Sequence, residues 1–117
     1  MKRRFRLTRS SDIKRVRRLG KSYAHPLIVL LAFPNDQPAA RFGIIAGRSV
    51  GGAVQRNRSK RILRAIVHPL RMTIVPGWDI ILLARLPMGT ATFVETQGAL
   101  VGLLRRAHLL KILNVST

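Results

Sequence analysis

The chain has 117 residues, of which 22 are Lys or Arg and 4 are Asp or Glu, so that its formal net charge is +18. Its hydrophobic fraction of 47% argues against an intrinsically disordered protein, and its length fits a single domain. An excess of positive charge this large repels itself in a compact state and attracts polyanions, among which nucleic acid is the leading class. The absence of cysteine excludes disulfides, zinc ribbons and thiol catalysis.

The N-terminal segment MKRRFRL begins like a signal peptide, but the polar run TRSSDIKRVRR follows it in place of an apolar stretch. The longest apolar run, residues 27–33, is far shorter than the roughly 20 residues that cross a bilayer. We therefore expect a cytoplasmic protein without a membrane partner. We expect one domain over residues 1–117, with a flexible arm at 1–7 and a flexible tail at 112–117.

The first predicted element is a helix, which Ser10 and Ser11 can cap and Gly20 can end. Its apolar positions are Ile13, Val16 and Leu19.

The segment YAHPLIVLLAF, which is rich in β-branched and aliphatic residues, reads as a strand that ends at the turn-forming PNDQP. The next segment, ARFGIIAGR, reads as a second strand. Because a short polar turn joins the two strands, we expect them to pair in antiparallel orientation.

The second half of the chain predicts a long helix, a strand and a last helix. The long helix runs from about residue 53 to about residue 70, after Gly51 and Gly52, and VPGWDIILLAR reads as a turn and a strand. Thr92 and Glu95 match a capping box for the last helix. Its candidate core positions are Leu100, Leu103, Leu104 and Ala107. This order of elements indicates an α+β fold with helices against a small sheet.

The long helix carries two different faces. At about 100° per residue, one face collects Arg56, Asn57, Lys60, Arg61, Arg64, His68 and Arg71. The opposite face collects Ile62, Leu63, Ile66, Val67 and Leu70. Arg58 lies outside the basic face, near the border of the apolar one. We expect the apolar face to pack on the sheet and the basic face to point outward.

The basic face has three interpretations. A solvated face normally mixes signs to gain pairs at i,i+4, whereas this one places like charges at Arg56, Lys60 and Arg64. That arrangement is unfavourable unless phosphates neutralise it, which favours contact with nucleic acid. A membrane-surface helix is the third interpretation. Against it, the core of so short a chain needs the apolar face, and the helix has no Trp or Phe to anchor it.

The segment GRSVGGAVQRNRSKRILRAI resembles the signature of the bacterial ribonuclease P protein subunit, an RNR box after a Gly-x-Ala-Val run. RLTRSSDIKRVRRLGK is similar to the first helix of that family, and GWDIILLARLP to its last strand. The resemblance implies a single-domain αβββαβα sandwich of the ribosomal-protein-domain-like type, with a small mixed sheet and a left-handed crossover through the central helix. It also implies two RNA partners: the catalytic RNA of ribonuclease P, and precursor tRNA including its 5′ leader, which the enzyme removes.

The resemblance also implies the residues that contact RNA. Carried over residue by residue, they are Arg56, Asn57, Arg58, Lys60, Arg61 and Arg64, with Arg48 in the loop before the helix. Members of the family commonly carry two adjacent lysines where this chain has Arg48 and Ser49, so one positive charge is lost here.

The second site that the resemblance implies is a cleft between the first helix and the sheet, which holds the leader. The family usually has aromatic residues at three positions that are Ile13, Arg17 and Leu31 here. Arg17 can replace stacking by its guanidinium plane and its charge, or the leader is held less tightly. Ile13 and Leu31 are equally compatible with a core role, and Tyr23 can supply a nearby ring or lie at a strand edge.

Hydrolysis of a phosphodiester by a protein alone usually needs clustered carboxylates or a pair of histidines. The four acids read as a first-turn acid, a turn residue, a strand start and a helix cap: Asp12, Asp36, Asp79 and Glu95. The three histidines lie on three different predicted elements, and no metal-ligand spacing appears. We therefore expect no catalytic residue, metal ligand or cofactor in the polypeptide, and no obligate protein partner. In the family, RNA and its Mg²⁺ ions carry the chemistry. A ribosomal or other structural RNA-binding protein and a DNA-binding protein remain the alternatives.

Overall fold

A computed structural model of the chain describes residues 3–111. Its helices and strands are α1 (Ser10–Leu19), β1 (Lys21–Ala24), β2 (Ile28–Pro34), β3 (Arg41–Ile45), α2 (Ala53–Leu70), β4 (Trp78–Ala84) and α3 (Phe93–Arg106). The α+β fold and the order αβββαβα are confirmed. The expected tail at residues 112–117 lies outside the described residues. Within residues 3–111, no helix is both long and apolar enough to span a membrane.

The four strands form one mixed sheet in the order β1-β2-β4-β3. The predicted antiparallel pair across the PNDQP turn is wrong, because β4 lies between β2 and β3. β2 pairs with β4 in antiparallel orientation, and β3 pairs with β4 in parallel orientation. The stretch read as one strand, residues 23–33, covers the end of β1 and most of β2, and these two strands form a hairpin. β4 is apolar along almost its whole length. Its position inside the sheet lets helices cover both of its faces, which buries these residues.

Two helices cover one face of the sheet, and a single helix covers part of the other. On one face, the apolar sides of α2 and α3 pack on β2 and β4. Leu63 and Leu100 lie there in one buried cluster with Leu30 and Leu82. On the other face, α1 inserts the fully buried Val16 among Leu7, Leu31 and Ile81. The parallel strands β3 and β4 are joined by a crossover through α2, as the resemblance implies. The left hand of that crossover stays a prediction.

The helix ends agree with the sequence at α3 and differ from it at α1. Thr92 and Glu95 form the capping box: the Glu95 N–H donates to Thr92 Oγ1 (3.1 Å), and the Thr92 N–H donates to Glu95 Oε1 (3.0 Å). The predicted serine cap of α1 is wrong, because Arg9 is the N-cap residue and makes no capping side-chain bond. Gly20 does end α1, and a Cβ there would clash with the Val16 carbonyl oxygen.

Residues 3–7 pack on the protein, where the sequence predicts a flexible arm. Phe5 and Leu7 are buried, and the Leu7 N–H donates to the Phe42 carbonyl oxygen (2.8 Å). Arg6 forms a parallel bridge with Phe42, so the arm covers part of the free edge of β3. The guanidinium of Arg71 lies 5.5 Å from the centroid of the Phe5 ring and joins the arm to the end of α2.

Candidate nucleic-acid interface

The predicted apolar face of α2 is confirmed. Leu63, Ile66 and Val67 are buried, while Ile62 and Leu70 are partly buried against the same core. Ser59 is also buried on this face, although its polar side chain gave no signal in the hydrophobic pattern. The apolar face fixes the rotation of α2 about its axis. It thereby decides which charged residues point outward.

The outward face of α2 presents positive charge around a shallow hollow of about 560 Å³. The hollow is lined by Val54, Asn57, Lys60, Arg61 and Arg64. Asn57, Arg61 and Arg64 are exposed, while Arg56 and Lys60 are partly buried. Among residues 3–111, ion pairs with acids involve only Arg15 and Arg41, so the cations of α2 have no acidic partner there. The arrangement leaves this charge available to an external anion.

Arg58 differs from the other arginines of α2 because its guanidinium is bonded within the protein. It donates to the carbonyl oxygens of Met88 (3.5 Å), Gly89 (3.2 Å) and Ala91 (2.9 Å). These three carbonyls lie in the segment between β4 and α3, just before the capping box. Arg58 therefore fastens the start of α3 to α2. This agrees with its position at the border of the two helix faces, and its predicted contact with RNA stays a prediction.

The loop before α2 adds positive charge at the N-terminal end of the interface. Arg48 is exposed in a single 3₁₀ turn, Arg48–Val50, directly before the two glycines. Gly51 has a φ of 138°, in the left-handed region that disfavours other residues. Gly52 is the N-cap of α2 and offers no side chain to its free amides, and the first turn contains no acid. The partial positive charge of the helix N-terminus is therefore uncompensated at this end.

The four residues predicted to hold the leader do not all lie together. Ile13 and Leu31 join the core cluster between α1 and the sheet, where Leu31 is only 8% exposed. Arg17 is exposed on α1. Tyr23 packs in the other cluster, on the face of the sheet that α2 and α3 cover. The reason is the hairpin register, in which Tyr23 lies opposite Leu30 while Ser22 lies opposite Leu31.

The sheet face under α1 contains an aromatic residue that the sequence interpretation missed. Phe33 lies two residues beyond Leu31 on β2, so both side chains point to the same face. Phe33 is half-buried, as are Val29, Leu83 and Ile45, which form a row across β2, β4 and β3. The alternation of side chains along β2 was the available signal. This face offers a partly exposed, mostly aliphatic surface beside α1.

A partly buried charge network at the edge of this face also escaped the sequence interpretation. Arg41 donates to both carboxylate oxygens of Asp79, each at 2.8 Å, and Asn35 Nδ2 donates to Asp79 Oδ1 at 2.7 Å. The hydrogen bonds that Arg41 donates to Asp79 raise the pKa of Arg41 above its usual value. Asp12 lies 3.6 Å from Arg41 and 3.7 Å from Arg15. Two of the four acids are therefore occupied by arginine, in the wall of an open cleft of about 940 Å³.

The fold and this surface define a class of protein: a small, highly basic α+β domain that presents an arginine-rich crossover helix to a polyanion. The family model described as Ribonuclease P matches residues 1–108, and the chain belongs to that family. The resemblance of the RNR segment is thereby confirmed. Membership makes the chain a component of a tRNA-processing ribonucleoprotein, which implies an RNA partner.

Curated relatives and solved structures agree with this assignment. The ribonuclease P protein component of Dehalococcoides mccartyi is 41% identical over 118 residues, covering 100% of this chain and 96% of the relative. That of Herpetosiphon aurantiacus is 39% identical over 109 residues, covering 93% and 89%. The RNase P protein of Staphylococcus aureus superposes with a TM-score of 0.84 at 29% identity, covering 92% of this chain and 98% of that one. For the Thermotoga maritima protein the TM-score is 0.78 at 30% identity, with coverages of 86% and 96%.

Proposed function

We propose that the chain binds the catalytic RNA of ribonuclease P through the outward face of α2 and assists removal of 5′ leaders from precursor tRNA in the cytoplasm. The observation that carries the proposal is the set of cations on α2 without acidic partners among residues 3–111. The contacts are assigned to Arg48, Arg56, Asn57, Lys60, Arg61 and Arg64. Arg58 supports this surface by holding the start of α3.

The leader is proposed to cross the sheet face beside α1, in contact with Arg17 and with the partly exposed row of Val29, Leu83 and Ile45. Ile13 and Leu31 form the floor of this surface, and Phe33 is the aromatic side chain available for stacking. Tyr23 is left out because it lies on the opposite face. Stacking of one base on an aromatic ring contributes roughly 1–3 kcal/mol. A surface with fewer rings is therefore expected to hold the leader less tightly and to depend more on Arg17.

The chemistry of leader removal is assigned to the RNA and to the Mg²⁺ ions that it binds. The acids of the polypeptide support this division of roles, since Asp12 and Asp79 contact arginines and Glu95 caps α3. The protein is proposed to screen the repulsion between two polyanions, which lowers the concentration of Mg²⁺ that the reaction needs. It also adds leader contacts, which favour precursor over mature tRNA and act mainly on substrate binding.

Reconstitution tests the proposal. The chain is mixed with the catalytic RNA at low Mg²⁺, and leader removal from precursor tRNA is measured. We expect the chain to stimulate cleavage and the Arg61→Ala variant to stimulate less. Arg105→Ala is the control, because it removes one exposed charge from α3 and none from the proposed interface. No stimulation by the unaltered chain would exclude this function in favour of a structural RNA-binding protein.

A further inference from the structure

A second hollow, of about 430 Å³, lies at the outer edge of β3. It is lined by Arg6, Leu7, Thr8, Phe42, Gly43, Ile44 and Arg64. Three parts of the fold therefore meet in it: the N-terminal arm, the edge strand and α2. Arg64 is the residue that this hollow shares with the one on the outward face of α2.

The edge of β3 offers an unused backbone donor to this hollow. The Phe42 carbonyl accepts from Leu7, so the polar backbone groups of Phe42 point toward the arm. Backbone groups alternate in direction along a strand, and those of Ile44 therefore point the same way as those of Phe42. In the described part of the chain, the arm bridges β3 only at Arg6, and its next residues turn into α1. Within residues 3–111, no backbone bond from the arm reaches Ile44.

The charged residues at the hollow are both arginines. Arg6 and Arg64 are exposed, and neither forms an ion pair within residues 3–111. No acid is among the residues that line the hollow in the described part of the chain. By contrast, the cleft at the other side of the arm contains Asp12, Asp36 and Asp79 beside its arginines. Two guanidiniums, a free amide and the Thr8 hydroxyl match the donors that a phosphate oxygen accepts from.

We propose that this hollow is a phosphate subsite, in which Arg6, Arg64 and the Ile44 amide bind one phosphodiester of the catalytic RNA. The proposal rests on the proposed function and extends that interface from α2 across the edge of β3 onto the N-terminal arm. It also gives the packing of the arm a function, since Phe5 and Leu7 hold Arg6 beside Arg64. An extended strand of another protein chain pairing with Ile44 is disfavoured, because the hollow is positive and its wall contains no acid in the described residues.

The first test uses Arg6→Gln, Arg64→Gln, the double variant and Arg18→Gln as control. Arg18 is an exposed arginine of α1, on the other side of the sheet from α2. Affinity for the catalytic RNA is measured from low to moderate salt. Each lost phosphate contact makes the plot of log affinity against log salt shallower by about 0.9 for a duplex or 0.7 for a single strand. Because the two arginines share one phosphate, we expect the double variant to lose about one such increment, and its affinity loss to be smaller than the product of the single losses.

The second test observes the Ile44 amide directly. Inorganic phosphate is titrated into the isotope-labelled chain, and the amide resonances are followed by nuclear magnetic resonance. We expect the Ile44 resonance to shift in the unaltered chain and in Arg18→Gln, and not in the double variant. Arg6→Lys, which keeps the charge, should retain part of the shift. Melting curves establish that each variant is folded.

The outcomes separate this subsite from the function on which it rests. An Arg6→Gln variant that binds RNA like Arg18→Gln would overturn the subsite, as would independent losses from the two arginines or an unresponsive Ile44 amide. In each case, loss of affinity in Arg61→Ala would leave the proposed function intact. If the unaltered chain did not bind the catalytic RNA, the proposed function and the subsite would both be overturned.

Discussion

Replacing Arg58 by alanine separates the structural arginine of α2 from those that face outward. Its guanidinium donates bonds of 3.5, 3.2 and 2.9 Å to three carbonyls. A hydrogen bond to a charged group contributes about 1.5–3 kcal/mol, and bonds near 3.5 Å contribute little. Arg58 is partly exposed, so water replaces some of the lost bonding. We therefore expect the free energy of unfolding to fall by about 2 kcal/mol.

Urea unfolding measures this change through the fluorescence of Trp78, the only tryptophan of the chain. With a urea dependence of about 1–3 kcal/mol per molar, the midpoint should fall by about 1 M. RNA binding by the folded fraction should weaken only about twofold, through the loss of long-range charge. Arg61→Ala is the matched comparison: its side chain is exposed, so the midpoint should hold while RNA affinity falls.

The opposite behaviour of the two variants would contradict a structural role for Arg58. An unchanged midpoint for Arg58→Ala, together with an affinity loss as large as that of Arg61→Ala, would show that Arg58 faces the RNA. Arg58→Lys provides an additional check. A lysine keeps the charge but cannot reach several carbonyls with a planar fork, so it should restore RNA affinity without restoring the midpoint.

Three further predictions concern stability, each measured as the free energy of unfolding. The hydrogen bonds with Thr92 lower the pKa of Glu95. The ionised carboxylate therefore stabilises the fold above its ordinary pKa of 4.5, and this stabilisation is lost as pH falls through the lowered value. Glu95→Gln should flatten this acid limb of the curve of stability against pH. A limb of unchanged steepness would contradict that reasoning. Asp79→Asn should cost about 3 kcal/mol because it leaves the Arg41 guanidinium without its buried partner, and a loss below 1 kcal/mol would contradict the network. Leu63→Ala, in the fully buried part of α2, should cost about 3 kcal/mol and exceed the cost of Ile62→Ala; the reverse order would contradict the face assignment.

Features that depend on neighbouring residues were predictable from the sequence. The two faces of α2 follow from a period of about 3.6 residues, which any helix over this segment imposes. The capping box depends on Thr92 and Glu95, three positions apart, and the structure contains it. The arginine-rich face was visible because its charges recur without acids at helical spacing. The identity of the family followed from the same segment.

The tertiary structure decided the contacts between distant segments. Arg58 reaches Ala91 across 33 positions and Arg41 reaches Asp79 across 38, and nothing local in either segment specifies the partner. The order of strands depends on β4 entering between β2 and β3, because its apolar residues need cover on both faces. The packing of α1 decides what covers the face that Phe33 shares with Leu31, and the hairpin register sets the face of Tyr23. The spacing of residues along the sequence determines which side of a helix or strand is apolar. The burial of apolar surface in the whole fold determines which other element packs against that side.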